Sequence, residues 1–112
     1  MTFAGNIPEG SVAQLMHGNF NRLVEGAGEA ARRAQFQGDI KGDKLVILVS
    51  CIGRKLLLKQ HIANEVEAVA SVFGKEVSQI GFYSYGEISP LYESNVCGLH
   101  NQTMTLTTLG EI

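Results

Sequence analysis

Hydrophobic residues recur at two different spacings along this chain, and the spacing changes from one segment to the next. In residues 20–34 they repeat every three or four positions, which is typical of an amphipathic helix with one apolar face. Asn19 precedes this stretch and suits the N-cap, because its side chain can accept a hydrogen bond from a free backbone amide. Residues 58–73 have the same period and end before Gly74. The pattern therefore predicts two helices.

Four shorter segments have the length and composition of strands. Residues 44–50 form a continuous apolar run, which is typical of a strand buried on both faces or of a central strand. The other predicted strands are residues 11–16, 79–88 and 103–109. The resulting order is β-α-β-α-β-β, an α/β (α+β) fold with a four-stranded mixed sheet and two helices packed on it. Residues 1–10 show no periodicity and are predicted to be a lead-in.

The charge of the chain argues against several classes of partner. The chain has 112 residues, of which 18% are charged, and its net charge is −2. A nucleic-acid-binding surface needs clustered cations, whereas the basic residues here are dispersed. No apolar run reaches the roughly 20 residues that span a bilayer. We therefore expect no nucleic acid and no membrane as partners.

Two cysteines are too few for a disulfide scaffold, which favours a cytoplasmic location.

Three segments are distinctive: SCIGR at residues 50–54, GFYSYGEISP at 81–90 and LHNQTMTL at 99–106. In this order they resemble the C-terminal domain of FIST proteins. That family has a strand that ends in a cysteine and an arginine, then a GFYTYGE-like segment and a HNQT-like segment. The resemblance implies that residues 11–112 form a single FIST C-terminal-like domain. The family's larger N-terminal FIST domain has no counterpart here, so the chain looks like a C-terminal fragment or a short member.

The resemblance implies a small-ligand-binding sensory domain of an intracellular signal-transduction protein. The expected ligand is an amino acid or a related small carboxylate, and the expected partners include an N-terminal FIST domain or a downstream signalling domain. The alternative is a structural or oligomerisation domain that supports an N-terminal ligand-binding FIST domain. The family supplies no catalytic residue. We expect neither a cofactor nor a metal, because no cysteine or histidine pair has close ligand spacing.

We predict a ligand site where the three distinctive segments meet. Arg54 follows a buried strand, at the sheet edge where α/β proteins bind ligands, and its guanidinium suits a carboxylate. Tyr83, Tyr85 and Glu87 alternate, so that they share one face of a continuous strand, and Gly86 would allow close approach of a ligand. The expected binding residues are Cys51, Arg54, Tyr83, Tyr85, Gly86, Glu87, His100, Asn101, Gln102 and Thr103.

The sequence leaves structural interpretations of these residues open. Arg54 can pair with an acidic neighbour, and Asn101 and Thr103 can hold a loop. An enzyme with Cys51 as nucleophile and His100 as base is a further alternative. A cysteine that ends an apolar run is usually a small buried hydrophobe, so we expect no catalysis. A small sheet with two helices leaves an exposed face or edge, which predicts self-association as a dimer or trimer.

Overall fold

A computed structural model describes residues 2–3, 5–36, 40–90 and 96–111. The helices are α1 (Phe20–Arg33), α2 (Ile52–Leu58) and α3 (Ile62–Phe73), and a 3₁₀ turn, Lys59–His61, joins the last two. The strands are β1 (Lys44–Cys51), β2 (Ser78–Ser84), β3 (Glu87–Pro90), β4 (Cys97–His100) and β5 (Met104–Gly110). The fold is mixed α and β, as the sequence predicts.

The strands form two sheets, and the prediction of one four-stranded sheet is wrong. The larger sheet has the order β2-β1-β5, with β1 parallel to β2 and antiparallel to β5. The smaller sheet is the antiparallel pair β3-β4. The strand predicted at residues 79–88 is therefore two strands in different sheets. At the break, the Ser84 Oγ donates to the Glu87 Oε1 over 2.8 Å, and such local bonds compete with the strand ladder.

The strand predicted at residues 11–16 is absent. Residues 5–19 are exposed throughout, and Val12 and Leu15 are 101% and 97% exposed. Their apolar positions do not alternate, and among the described residues no strand pairs with this segment. The order within the described residues therefore starts with α1. That helix begins as predicted, because the Asn19 Oδ1 accepts from the Arg22 backbone amide at 3.0 Å.

The second predicted helix is divided into α2 and α3. Lys59 has φ 52° and ψ −119°, outside the helical region, so the chain changes direction there. This change rotates α3 relative to the apolar stripe that the sequence indicates. Glu65 is fully buried, whereas Val66 is 46% exposed.

The core lies between α1, α3 and one face of the larger sheet. Its buried residues are Ala27, Ala31, Val46, Leu48, Val69 and Met104. Alanine on α1 allows the helix to lie close to the strands. Alternate residues of β1 point to opposite faces, so Val46 and Leu48 face the helices while Ile47 and Val49 face away. β1 is thus the central strand of its sheet, one of the two alternatives that its apolar run predicts, and helices cover one of its faces.

Candidate functional site

A buried carboxylate links five elements at the carboxyl end of β1. The Oε2 of Glu65, on α3, accepts from the Arg54 Nε at 3.0 Å and lies 3.0 Å from the Arg54 Nη2. Its Oε1 accepts from the Ser50 Oγ at 3.2 Å and the Tyr83 Oη at 2.9 Å. The Arg54 Nη2 also donates to the Leu23 carbonyl of α1 at 2.7 Å. Three hydrogen bonds and the second guanidinium contact surround the carboxylate, so the buried charge is compensated.

The backbone brings these groups together through strand order and one short connection. Arg54 lies in the first turn of α2, which follows β1 directly, and is buried. Ser50 and Tyr83 are register partners on neighbouring parallel strands, so their side chains share the helix-covered face. Partial burial and the hydrogen bond to Glu65 raise the pKa of Tyr83 to about 12. The Tyr83 hydroxyl therefore keeps its proton near neutral pH and donates it to Glu65.

A second buried carboxylate, Glu87, attaches the β3-β4 sheet to the larger sheet. Glu87 is 2% exposed. It accepts from the Ser84 Oγ at 2.8 Å and from the Thr103 Oγ1 at 2.6 Å. The Thr103 carbonyl in turn accepts from the Cys51 backbone amide at 3.0 Å. Glu87 and Arg54 therefore belong to separate networks, and both have internal partners.

The remaining predicted residues are distributed over the β3-β4 sheet and its turn. Tyr85 is 87% exposed in the break between β2 and β3, so it does not share a strand face with Tyr83 and Glu87, and that prediction is wrong. A side chain at Gly86 would meet the Leu99 Cδ1 at 3.1 Å, which shows that this glycine accommodates a neighbouring side chain. The His100 Nε2 lies 3.1 Å from the Ser89 carbonyl and so links β4 to β3.

Asn101 and Gln102 form the exposed turn between β4 and β5. Gln102 adopts a left-handed backbone with φ 62°. Its side chain lies against Gly53, where any Cβ would collide with the Gln102 amide. Gln102 therefore contacts the start of α2, whereas Asn101 lies beside Gly5 and Gly86.

A small pocket lies next to the Glu65 network, bordered by α3, β1 and β2. Its volume is about 190 Å³. Leu48, Val66 and Met104 contribute apolar wall, and Ser50, Glu65, Gln79 and Tyr83 contribute the polar part. The Gln79 Oε1 is buried and has no hydrogen-bond partner in the described structure. Arg54 and Glu87 do not line this pocket.

The hydrogen bonds around Glu65 determine which polar atoms the pocket offers. The hydroxyl protons of Ser50 and Tyr83 are both donated to Glu65, so these oxygens retain lone pairs only. The Glu65 carboxylate already accepts three hydrogen bonds and contacts the Arg54 Nη2. The unpaired Gln79 oxygen adds a further acceptor. The pocket is therefore suited to a group that donates N–H or O–H bonds.

A second pocket, of about 490 Å³, separates α1 from the smaller sheet. His100 and Thr103 line it from one side, and Glu29 and Arg33 line it from α1. The predicted site residues are thus divided: Tyr83 borders the first pocket, and His100 and Thr103 border the second. No described hydrogen bond joins the Cys51 thiol to the His100 ring. Cys51 and Cys97 are free thiols, one buried and one exposed.

The described residues form neither a cluster of metal ligands nor a membrane-spanning helix. No group of three histidine, cysteine, aspartate or glutamate side chains in that part of the chain could hold a metal ion. Of the helices described, none is long and apolar enough to cross a membrane.

Sequence reasoning missed Ser50, Glu65 and Gln79. A signal for Glu65 is present, since it lies three residues after Ile62 and four before Val69, inside the apolar stripe of its helix. A carboxylate at such a position needs a buried donor. Arg54, one helical segment earlier, is that donor.

Comparison with known proteins identifies the family. The FIST C domain model matches residues 1–90 and so includes the first two of the three distinctive segments. The match ends before residues 99–106. No curated protein and no solved structure shows significant similarity to the chain. Since the match covers most of its length, the chain belongs to the FIST C domain family, which is associated with signal transduction.

Proposed function

We propose that this chain is a small-ligand-binding sensory domain of a signal-transduction protein, and that its ligand occupies the pocket between α3 and β2. The observation that carries the proposal is an apolar pocket of about 190 Å³ beside a buried polar network. Pockets for drug-sized ligands measure roughly 300–1,000 Å³, so the ligand here is smaller. This size fits an amino acid or a related small compound.

The polar atoms of the pocket favour a ligand with an ammonium group. The Gln79 Oε1 is unpaired, and the Tyr83 oxygen has free lone pairs, so both suit N–H donors. An aliphatic side chain would pack on Leu48, Val66 and Met104. The Lys55 Nζ lies 5.1 Å from the centre of the Tyr83 ring and offers a cation for the carboxylate of an amino acid.

Arg54 and Glu87 take indirect roles in this proposal. The fork of Arg54 that would bind a ligand carboxylate already binds Glu65 and the Leu23 carbonyl. Arg54 therefore orients Glu65, which in turn orients Tyr83. Glu87 holds the smaller sheet in place and does not border the pocket.

Isothermal titration calorimetry with aliphatic amino acids tests the proposal. A thermal-shift screen first selects the amino acids that raise the melting temperature, because a ligand that binds only the folded state stabilises it. Val66→Phe fills the pocket from the partly exposed side of α3 and should weaken binding at least about tenfold, a loss of roughly 1.4 kcal/mol. The matched control is Val12→Phe, in the exposed segment before α1, which should bind as the parent does.

Two results would contradict the proposal: no amino acid or small amine raises the melting temperature, or Val66→Phe binds as tightly as the parent. The first result would favour the second candidate function, a structural or oligomerisation domain for an N-terminal FIST domain. The observation that favours this alternative is that Arg54 and Glu87 are both saturated by internal partners.

A further inference from the structure

The face of the larger sheet that points away from the helices is apolar and largely uncovered. It consists of alternate residues of the three strands: Leu45, Ile47, Val49, Ile80, Phe82, Thr105, Thr107 and Leu109. We call these residues the open face. Ile80, Phe82 and Leu109 are 62%, 61% and 51% exposed, although each pairs with an apolar residue of β1. Among the described elements, all three α-helices lie elsewhere.

The open face carries no charged residue. The strand positions that share this face are aliphatic, aromatic, threonine or serine in every case. The eight positions of the open face hold no charge, in a chain of which 18% of the residues are charged. In a contact across a two-fold axis the same surface of both copies meets, so any charge on it faces like charges. An uncharged surface avoids this repulsion.

The area of the open face determines the size class of such a contact. A fully buried aromatic side chain covers roughly 150–250 Å². On that scale, the exposed fractions of the open face sum to on the order of 500 Å² per copy. Stable dimers bury about 800 Å² per partner, and transient ones less than about 600 Å². The face is therefore large enough for a reversible dimer and small for a permanent one.

We propose that the open face binds the open face of a second copy, sheet against sheet, in a dimer that dissociates on dilution. Stacked sheets pack about 10 Å apart, so the side chains of the two faces would interdigitate and shield Phe82 and Ile80 from water. Ile80 and Phe82 also border the ligand pocket, whereas Thr107 and Leu109 of β5 do not, so substitutions on β5 test the interface separately from the pocket.

Sedimentation velocity of the whole chain over a wide range of concentrations tests the proposal. The parent should shift from monomer to dimer as its concentration rises. Leu109→Lys places a charge on the open face and should raise the dissociation constant at least tenfold. Leu57→Lys is the matched control, because Leu57 is a similarly exposed leucine on α2, outside the open face, and this variant should dimerise as the parent does. Thr107→Lys repeats the test at an exposed polar position, where the substitution leaves the core untouched.

Dimerisation of the parent and of Leu57→Lys, with loss in both face variants, would establish the interface. A parent that stays monomeric at every concentration would overturn the proposal and leave the open face to a partner of another sequence. The proposal would also be overturned if Leu57→Lys weakened dimerisation as much as the face variants do, or if both face variants dimerised as the parent does. Amino-acid binding is measured on the same variants, so that a failure of the interface is separated from a failure of the pocket.

Discussion

Glu65 and Arg54 form an ion pair whose side chains are 0% and 5% exposed. Removing two charges from water costs several kcal/mol for each ion, and close hydrogen-bonded partners offset that cost. The pair therefore stabilises the fold only as a complete set, with Ser50, Tyr83 and the Leu23 carbonyl as the other members.

We expect Arg54→Ala to lower the free energy of unfolding by about 3–5 kcal/mol, because it leaves the Glu65 carboxylate buried without its cation. Urea denaturation measures this change. Arg32→Ala is the control, since Arg32 pairs with Glu29 at the surface, where both side chains are about half exposed, and such pairs contribute about 0–1 kcal/mol. An Arg54→Ala loss as small as that of Arg32→Ala would show that Glu65 is not held as a buried charge.

The raised pKa of Tyr83 predicts a loss of stability in alkali. Partial burial and the hydrogen bond to Glu65 favour the protonated phenol in the folded state, with a pKa of about 12 instead of 10. The unfolded chain releases this proton first, so the contribution is complete below pH 10 and is lost as the pH rises through 12. Unfolding of the parent and of Tyr83→Phe, followed against pH, should show a smaller decline between pH 10 and 12 in the variant. Parallel curves for the two proteins would contradict the assignment.

At the residue scale, sequence reasoning located Arg54 and Tyr83 near a polar centre but did not identify their partner. The N-cap at Asn19 was predictable because its hydrogen bond joins two residues only three positions apart. For Glu65 the position inside the apolar stripe is a signal, but its burial also depends on the rotation of α3 about its own axis. A helical period indicates which residues share a stripe, but a shift of one residue, from Val66 to Glu65, changes which side chain points inward.

At the element scale, the break between α2 and α3 occurs without glycine or proline. Lys59 holds φ 52° and ψ −119°, a region that side chains with a Cβ rarely adopt. The turn is needed because α3 must run back across the sheet and bring Glu65 to Arg54. Tertiary contacts thus impose a conformation that local sequence disfavours, and for this reason the stripe of residues 58–73 gave no indication of a break.

We expect Lys59→Gly to raise the free energy of unfolding by about 0.5–1 kcal/mol. Backbone strain at such a residue costs about 1–3 kcal/mol, which exceeds the roughly 0.4–1 kcal/mol of unfolded-chain entropy that a glycine adds. The same change at Lys55, inside α2, should lower stability by about 1 kcal/mol, because helical glycine is unfavourable. Thermal unfolding of both variants measures the contrast. A loss of stability in Lys59→Gly would show that the backbone at residue 59 is not strained.

The strands differ in how far local sequence determined them. The apolar run of β1 was sufficient to predict it, because a central strand pairs on both edges whatever its neighbours are. The segment at residues 11–16 has apolar residues but no pairing strand, and it is not a strand. The break at Tyr85 and Gly86 depends on the bonds of Glu87 to Ser84 and Thr103, the latter of which is distant in sequence.

At the scale of the whole molecule, the alternation of helical and strand periods was enough to predict a mixed fold with helices on a sheet. The division into two sheets was not predictable from local sequence. It requires that the chain leave the β1-β2 pairing after Ser84 and that Glu87–Pro90 pair with β4 instead. The family assignment rests on three short sequence segments, and the wrong strand predictions do not affect it. The match over residues 1–90 confirms the family.

The Glu65 carboxylate also has a consequence for communication across the domain. Its bonds, and the bond from Arg54 to Leu23, connect three helices and two strands through one rigid group. A ligand that draws the Tyr83 hydroxyl away by even a fraction of an ångström removes one donor from that group, and the remaining bonds must readjust together. Binding of a ligand in the small pocket would in this way shift the α1 backbone at Leu23, through Tyr83, Glu65 and Arg54.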